Sequence, residues 1–155
     1  MGMGIRLAEA VDQDAVEAIV KAAYDPWIPV IGVAPLPLVA DYAELISRGY
    51  VYVLEYDQVD ALIVLVPEDE TLLVENVAVR PDRQGRGLGH RLLAFAEFRA
   101  RSLGLSAVRL YTNEKMTSNI GLYESLGYRE TGREGIDGRH AVHLRKDLLP
   151  EPDRV

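Results

Sequence analysis

An apolar strand, a glycine-rich turn and a long helix follow one another between residues 71 and 104, and this succession restricts the fold more than any other feature. The stretch 71–79 is largely apolar, the turn behind it carries three alternate glycines, and a second apolar stretch, 107–112, follows the helix. A strand, a helix and a strand that return to one sheet form a crossover, which makes the two strands parallel. The sequence therefore predicts one parallel strand pair.

Hydrophobic periodicity on both sides of this unit predicts further short elements. We expect the order β, α, α, β, β, β, α, β, α, β, β. The predicted strands are 5–10, 50–56, 59–67, 71–79, 107–112, 128–133 and 139–145, and the predicted helices are 12–23, 38–48, 87–104 and 117–126. This order is typical of an α/β (α+β) mixed sheet, mostly antiparallel, with one parallel βαβ unit and helices on both faces.

The chain of 155 residues has the length of one domain, which we assign to residues 1–149, with 150–155 as a disordered tail. Asp12 is expected to cap the first helix, and the turn between the last two strands is expected at 135–138. The inward stripe of the central helix is predicted to consist of Leu88, Leu92, Phe95, Ala96 and Leu103.

Composition excludes several classes of function. The chain has no cysteine, which rules out disulfides, thiolate metal sites and a cysteine nucleophile. The net charge of −7 disfavours a nucleic-acid binder. We find no secretory signal within 1–7 and no apolar run that is long enough to span a bilayer. We therefore expect a cytoplasmic protein without a membrane partner.

The glycine turn itself predicts a phosphate site. Gly85, Gly87 and Gly89 leave the main chain bare at the start of a helix, where backbone N–H groups and the helix dipole favour an anion. Arg83 and Arg86 add positive charge. The spacing fits neither a dinucleotide-binding fingerprint nor a Walker A loop. The alternative is a glycine-rich helix start with solvated arginines.

Two motifs resemble those of the GNAT superfamily of N-acetyltransferases. Gln84-x-x-Gly87-x-Gly89 is similar to its acetyl-coenzyme A signature, Gln/Arg-x-x-Gly-x-Gly/Ala. Asn119 and Tyr123, followed by Gly127-Tyr128, resemble a second family pattern in a common variant of its spacing. The resemblance implies a GNAT-like fold with acetyl-coenzyme A as co-substrate and no metal.

The resemblance also implies roles for these residues. The turn's amides hold the pyrophosphate of the coenzyme, the preceding strand pairs with its pantetheine arm, and one N–H of that strand polarises the thioester carbonyl. Asn119 contacts the arm, and the hydroxyl of Tyr123 protonates the leaving thiolate. The residues expected to bind the coenzyme are Val77, Ala78, Val79, Arg83, Gln84, Gly85, Arg86, Gly87, Leu88, Gly89, Asn119 and Tyr123.

Glu75 lies inside an apolar strand, where a carboxylate is costly unless it is paired or functional. Some GNAT members carry a glutamate on this strand as a general base that acts through water, so Glu75 and Tyr123 are the expected catalytic pair. The alternative is an edge-facing or ion-paired glutamate. Strand alternation without a bulge would direct Glu75 to the same face as Val77 and Val79.

Aromatic side chains are expected around the acceptor amine, where shape and cation–π attraction favour them. The resemblance puts the loop with Tyr24 and Trp27 at this pocket, and we add Tyr111 and Asn113 after the central helix. Core packing of an irregular loop is the alternative for these aromatics. Two late histidines at spacing i, i+3 have no supporting ligand set, so no metal site is expected.

The sequence thus predicts an N-acetyltransferase that moves acetyl from acetyl-coenzyme A to a primary amine. A polyamine, an amino acid, an antibiotic and a protein N-terminus remain open as acceptors. So does a homodimer, since late strands in this family often pair. A catalytically silent acyl-coenzyme A sensor of the same fold is the main alternative, and a nucleotide-phosphate binder is a more distant one.

Overall fold

A seven-stranded mixed sheet forms the centre of the structure. The computed structural model describes residues 4–136 and 138–148. Its strands are β1 Gly4–Leu7, β2 Val51–Glu55, β3 Val59–Pro67, β4 Thr71–Val79, β5 Ala107–Asn113, β6 Arg129–Ile136 and β7 Arg139–Asp147. They are hydrogen-bonded in the order β1-β2-β3-β4-β5-β7-β6. Only β4 and β5 are parallel among these neighbours, which confirms the predicted mixed sheet with one βαβ unit.

Helices cover both faces of the sheet, as expected. They are α1 Gln13–Tyr24, α2 Ile28–Ile31, α3 Tyr42–Ser47, α4 Leu88–Ser102 and α5 Thr117–Ser125. The strand β3 shows the two layers directly, because its side chains alternate between them. Leu62 belongs to the cluster with Val16 and Val20 of α1. Ile63 belongs to the cluster with Leu92 of α4.

The central helix buries most of the predicted stripe, together with Leu93 and Ala100. Leu88, Leu92 and Ala96 are buried at intervals of four residues, as expected for one helix face. Phe95 is half-buried against the same core. The prediction for Leu103 is wrong, since this side chain is 40% exposed. The helix ends at Ser102, so Leu103 follows the last turn and no longer lies on the buried face.

Two short elements occupy the region where we expected one helix over 38–48. A single 3-10 turn spans Leu36–Val39, and α3 begins only at Tyr42. Between them Ala40 is extended, and the side chain of Asp41 accepts a hydrogen bond from the N–H of Glu44 at 3.1 Å. A capping aspartate in the middle of the predicted helix therefore starts a new helix.

The side chain of Asp12 does not cap α1, contrary to our expectation. Its carboxylate turns back to β1, where it accepts hydrogen bonds from both terminal nitrogens of Arg6 at 2.8 and 3.0 Å. The N–H of Glu9 donates to it as well, at 2.7 Å. The paired guanidinium holds the pKa of Asp12 below its usual range. Asp12 thus ties the first strand to the start of the first helix.

The last hairpin is tighter than predicted. The strand β6 continues to Ile136 and β7 begins at Arg139, so the turn is shorter than the expected 135–138. Gly138 in this turn has a φ of 77°, in the left-handed region. The predicted tail 150–155 lies outside the described residues. Within the described part of the chain, no helix combines the length and apolar character needed to cross a membrane.

Candidate active site

The parallel strands β4 and β5 separate halfway along their length. They pair only from Thr71 with Ala107 to Val74 with Leu110. Beyond this point β4 remains paired with β3, and β5 remains paired with β7. Among the described residues, one edge of β4 is therefore left without a strand partner over 75–79.

The glycine turn closes one end of this opening. After a 3-10 turn at Pro81–Arg83, Gly85 and Gly87 adopt φ of 80° and 79°, and α4 begins at Leu88. Only glycine takes this left-handed conformation without strain. The two turns direct the chain into the helix and leave its first N–H groups uncapped by any side chain.

A cleft of about 500 Å³ runs along the turn, the unpaired edge of β4 and helix α5. Of the residues predicted to bind the coenzyme, all but one line it. The exception is Arg86, which is exposed and lies outside the cleft lining. The cleft is also lined by residues that were not predicted, among them His90, Ser118 and Met116. Their positions beside predicted residues on α4 and α5 are the only signal that indicated them.

Backbone groups of β4 face the cleft. The N–H of Arg80 donates to the carbonyl of Asp60 at 2.9 Å, so alternation along the antiparallel ladder turns Ala78 towards β3. The polar backbone groups of Val77 and Val79 then point away from β3. Two side-chain contacts agree with this orientation. The hydroxyl of Tyr24 lies 3.2 Å from the carbonyl oxygen of Val77, and Gln84 Nε2 donates to that of Val79 at 3.5 Å.

A buried carboxylate underlies the basic side of the turn. Asp60 is 6% exposed and lies 3.3 Å from Arg80 Nη1 and 3.6 Å from Arg83 Nε. The Nε atom of Arg83 is itself buried. Because Arg83 also lines the cleft, Asp60 orients a cation beside the glycine turn. This pairing could not be read from the sequence, since Asp60 belongs to a different strand.

Helix α5 brings Asn119 and Tyr123 to the cleft together, one turn apart. The ring of Tyr123 packs edge-on against that of Tyr128, with centroids 6.0 Å apart. Burial raises the pKa of Tyr123 to about 12, and no hydrogen bond within the described chain contributes to this shift. The phenol therefore keeps its proton at neutral pH and has that proton available for a ligand.

A second cavity of about 70 Å³ adjoins the cleft. It lies between the loop 35–37, strands β4 and β5, and the start of β7. Both cavities share the side chains Tyr24, Val77, Met116, Asn119 and Tyr123. A ligand in the cleft and a ligand in the second cavity can therefore meet beside Tyr123.

Glu75 lines this second cavity, but not on the face that simple alternation predicted. The register with β3 shifts so that Val64 opposes Asn76 and Leu65 opposes Val74, which makes Glu75 the extra residue of a β-bulge. Val74 and Val77 both pack against the α4 core, three residues apart. Our expectation assumed a strand without a bulge. Because the bulge is present, Glu75 does not share a face with Val77 and Val79.

The bulge turns Glu75 and Asn76 towards the same side, where both line the space next to Tyr111. Glu75 is half-buried, and burial raises the pKa of its carboxyl above its usual range. No hydrogen bond or ion pair within the described chain offsets this shift. A carboxylate in this environment holds a proton more readily than an exposed one, as general bases commonly do.

Asn76, which we did not predict as a site residue, organises the cavity wall. Its Oδ1 accepts a hydrogen bond from the hydroxyl of Tyr24 at 2.6 Å, and its Nδ2 donates to the hydroxyl of Tyr42 at 3.0 Å. Tyr42 in turn donates to the carbonyl of Pro37 at 2.6 Å. An amide in an apolar strand was the available signal for this residue.

The predicted acceptor residues divide between the two cavities. Tyr111 and Asn113 line the second cavity, and Tyr24 lines both. Trp27 lines the cleft beside the glycine turn and not the second cavity. The cause is the course of the loop, since a 3-10 turn at Asp25–Trp27 continues from α1 and leads into α2.

The two late histidines have separate surroundings. His140 lines the second cavity, whereas His143 Nε2 lies 2.6 Å from Glu134 Oε1 and its ring is 5.7 Å from that of Tyr111. Within residues 4–136 and 138–148, no group of three or more His, Asp or Glu side chains is arranged to hold a metal ion.

Comparisons with known sequences agree on one protein family. The family model described as Acetyltransferase (GNAT) domain matches residues 47–130. Probable N-acetyltransferase 14 of Xenopus tropicalis is 31% identical over 108 residues, which are 66% of this chain and 52% of that protein. The IAA acetyltransferase of Azospirillum brasilense is 37% identical over 71 residues, 46% of each chain. The chain spans about half of the length of these two relatives.

Solved structures agree at the level of the fold. The ribosomal-protein-S18-alanine N-acetyltransferase of Escherichia coli superposes with a TM-score of 0.75 at 20% identity, covering 99% of this chain and 100% of that one. The PaiA N-acetyltransferase of Thermoplasma acidophilum, solved in complex with coenzyme A, has a TM-score of 0.77 at 14% identity and covers 96% and 100%. The similarity in fold thus covers nearly the whole chain, whereas the family model matches residues 47–130.

Proposed function

The chain belongs to the GNAT family of acetyltransferases, and on that premise we propose that it moves an acetyl group from acetyl-coenzyme A directly to the nitrogen of a primary amine. The observation that carries this proposal is the pair of connected cavities. The larger one follows the glycine turn and the unpaired edge of β4, and the smaller one contains Glu75. They meet at Tyr123, where the thioester and the amine have to come together.

The coenzyme is assigned to the larger cavity. Its diphosphate binds the N–H groups of the turn between Gly85 and Gly89, where the start of α4 adds the positive end of a helix dipole. Arg83, held by Asp60, supplies a charge-assisted contact. The pantetheine arm then lies along β4 as an added strand and pairs with the backbone groups of Val77 and Val79 that point away from β3.

The reaction needs one base and one acid. Glu75 takes a proton, through water, from the ammonium group, because only the neutral amine can attack a thioester. The amine nitrogen bonds to the carbonyl carbon, and the carbonyl oxygen accepts a hydrogen bond from an N–H of β4. The carbon–sulfur bond then breaks, Tyr123 gives its proton to the leaving thiolate, and the nitrogen returns a proton to Tyr123. The products are an N-acetyl amide, coenzyme A and one proton.

Free-thiol release from acetyl-coenzyme A tests this function. The panel contains small primary amines, amino acids and peptides with a free N-terminus. The protein has no cysteine, so a thiol reagent detects only the product coenzyme. We expect thiol release that depends on the amine, and saturable binding of acetyl-coenzyme A by calorimetry.

Each negative result has its own meaning. Binding of the coenzyme without turnover on any amine would favour a silent acyl-coenzyme A sensor of the same fold. Absence of any coenzyme binding at millimolar concentration would contradict the whole assignment. Protection against thermal unfolding by ATP, and not by acetyl-coenzyme A, would favour a nucleotide-phosphate binder.

A further inference from the structure

The smaller cavity carries information about the acceptor itself. We infer that the acceptor is a compact monoamine whose carbon skeleton next to the reacting nitrogen is apolar, and that polyamines are poor substrates. This inference rests on the proposed function. Its basis is the charge, the hydrogen-bonding state and the size of the cavity that holds Glu75.

Charge in the cavity is suited to one ammonium group. Among the described residues that line it, Glu75 is the only carboxylate, and Arg139 and His140 lie at the wall formed by β7. An ammonium group at Glu75 has a counter-charge. A second ammonium group in this space would have no carboxylate partner and would lie near a guanidinium, which is unfavourable at a partly desolvated site.

Three neutral polar side chains of the wall already have partners within the protein, and two more, Asn119 and Tyr123, are assigned to the coenzyme and the thioester. Asn76 uses its oxygen for Tyr24 and its nitrogen for Tyr42. Thr112 donates to the sulfur of Met116 at 3.8 Å. The side-chain oxygen of Asn113 accepts from the N–H of Lys115 at 3.0 Å. A polar substituent on the acceptor would therefore lose water and find few free partners in return. The remaining wall is apolar and aromatic, formed by Pro35, Leu36, Pro37, Val74, Leu110 and Tyr111.

Size limits the part of the acceptor that lies next to Glu75. One water molecule needs roughly 10–15 Å³ of such volume, so a cavity of about 70 Å³ holds a short alkyl chain, and a longer acceptor would extend into solvent. The half-buried ring of Tyr111 offers an aromatic surface to a cation bound at Glu75.

Three amines of equal chain length separate charge from size. Pentylamine, 4-aminobutan-1-ol and 1,4-diaminobutane end in a methyl, a hydroxyl and an ammonium group, respectively. We expect kcat/KM in thiol release to fall in that order, with the diamine at least about tenfold below pentylamine. Equal or higher kcat/KM for the diamine would overturn the inference.

A charge introduced opposite Glu75 provides the matched test. Leu36 lines the cavity from the loop side, so Leu36→Glu adds a second carboxylate and Leu36→Gln adds a similar volume without charge. We expect Leu36→Glu, and not Leu36→Gln, to raise the kcat/KM of the diamine relative to pentylamine. An equal shift in both variants would contradict the role assigned to charge.

Failure of this inference is distinct from failure of the proposed function. If larger or polycationic amines of the wider panel are acetylated with a higher kcat/KM than all three test amines, the acceptor class is overturned. The transferase assignment then remains intact. Silence toward every amine, with or without coenzyme binding, overturns the transferase assignment and with it the inference.

Discussion

Replacing Tyr123 by Phe removes a single hydroxyl from the junction of the two cavities. The ring stays packed edge-on against Tyr128 at 6.0 Å, and the hydroxyl contributes no hydrogen bond to the described part of the protein. We therefore expect the free energy of unfolding to change by less than about 1 kcal/mol. Binding of the coenzyme should also remain, because the turn and the edge of β4 are untouched.

Turnover is expected to respond strongly to the same change. A positioned general acid contributes about 10²–10⁴-fold to the rate. At about 1.36 kcal/mol per tenfold, its loss raises the activation barrier by roughly 2.7–5.4 kcal/mol. Because burial sets the pKa of Tyr123 to about 12, the acid remains protonated over the accessible pH range and the loss should be similar across it. The measurements are kcat and KM by thiol release, the Kd of acetyl-coenzyme A by calorimetry, and thermal unfolding.

Tyr128→Phe is the matched control. The hydroxyl of Tyr128 is buried and has no hydrogen-bond partner among the described residues, and the residue does not line either of the two cavities. This variant removes the same atom from a neighbouring ring, so it should keep the kcat of the parent protein. The acid role is refuted if Tyr123→Phe retains the parent kcat, or if both variants lose activity to the same extent.

Three further changes test the base, the turn and the link between β1 and α1. In the parent protein, kcat/KM should fall as the pH drops through the pKa of Glu75, and Glu75→Gln should remove this pH dependence. A fall at the ordinary pKa of an exposed glutamate would contradict the effect of burial. Gly87→Val should cost about 1–2 kcal/mol in urea unfolding and weaken coenzyme binding, because φ is 79°, whereas Gly89→Ala should preserve both. Arg6→Ala should lower the free energy of unfolding at neutral pH by about 1–3 kcal/mol, since it leaves the buried carboxylate of Asp12 unpaired. Folding lowers the pKa of Asp12 below its ordinary value of 3.8. The difference in free energy of unfolding between the two proteins should therefore be complete above pH 3.8 and vanish as the pH falls through the pKa of Asp12 in the folded state. A difference that does not change with pH would contradict this role of Asp12.

Local patterns in the sequence were sufficient for the order of the strands and the longer helices, and for most of the residues expected along the cleft. The predicted bounds of 71–79 for β4 agree with the structure, and the start of α4 differs by one residue. These features depend on periodicity over a few residues and on turn chemistry, which neighbouring residues determine. The same reasoning was less successful over 24–48, where successive prolines and a capping aspartate divide the chain into short turns.

The second cavity depended on contacts between distant segments. The bulge at Glu75 follows from the register with β3, and Asn76 is held by Tyr24 and Tyr42, which precede it by 52 and 34 residues. Asp60 reaches Arg83 from a different strand in the same way. A sequence shows that a carboxylate interrupts an apolar strand, since this is a property of adjacent residues. Which face that carboxylate occupies depends on hydrogen bonds made only after the sheet and its covering helices have assembled.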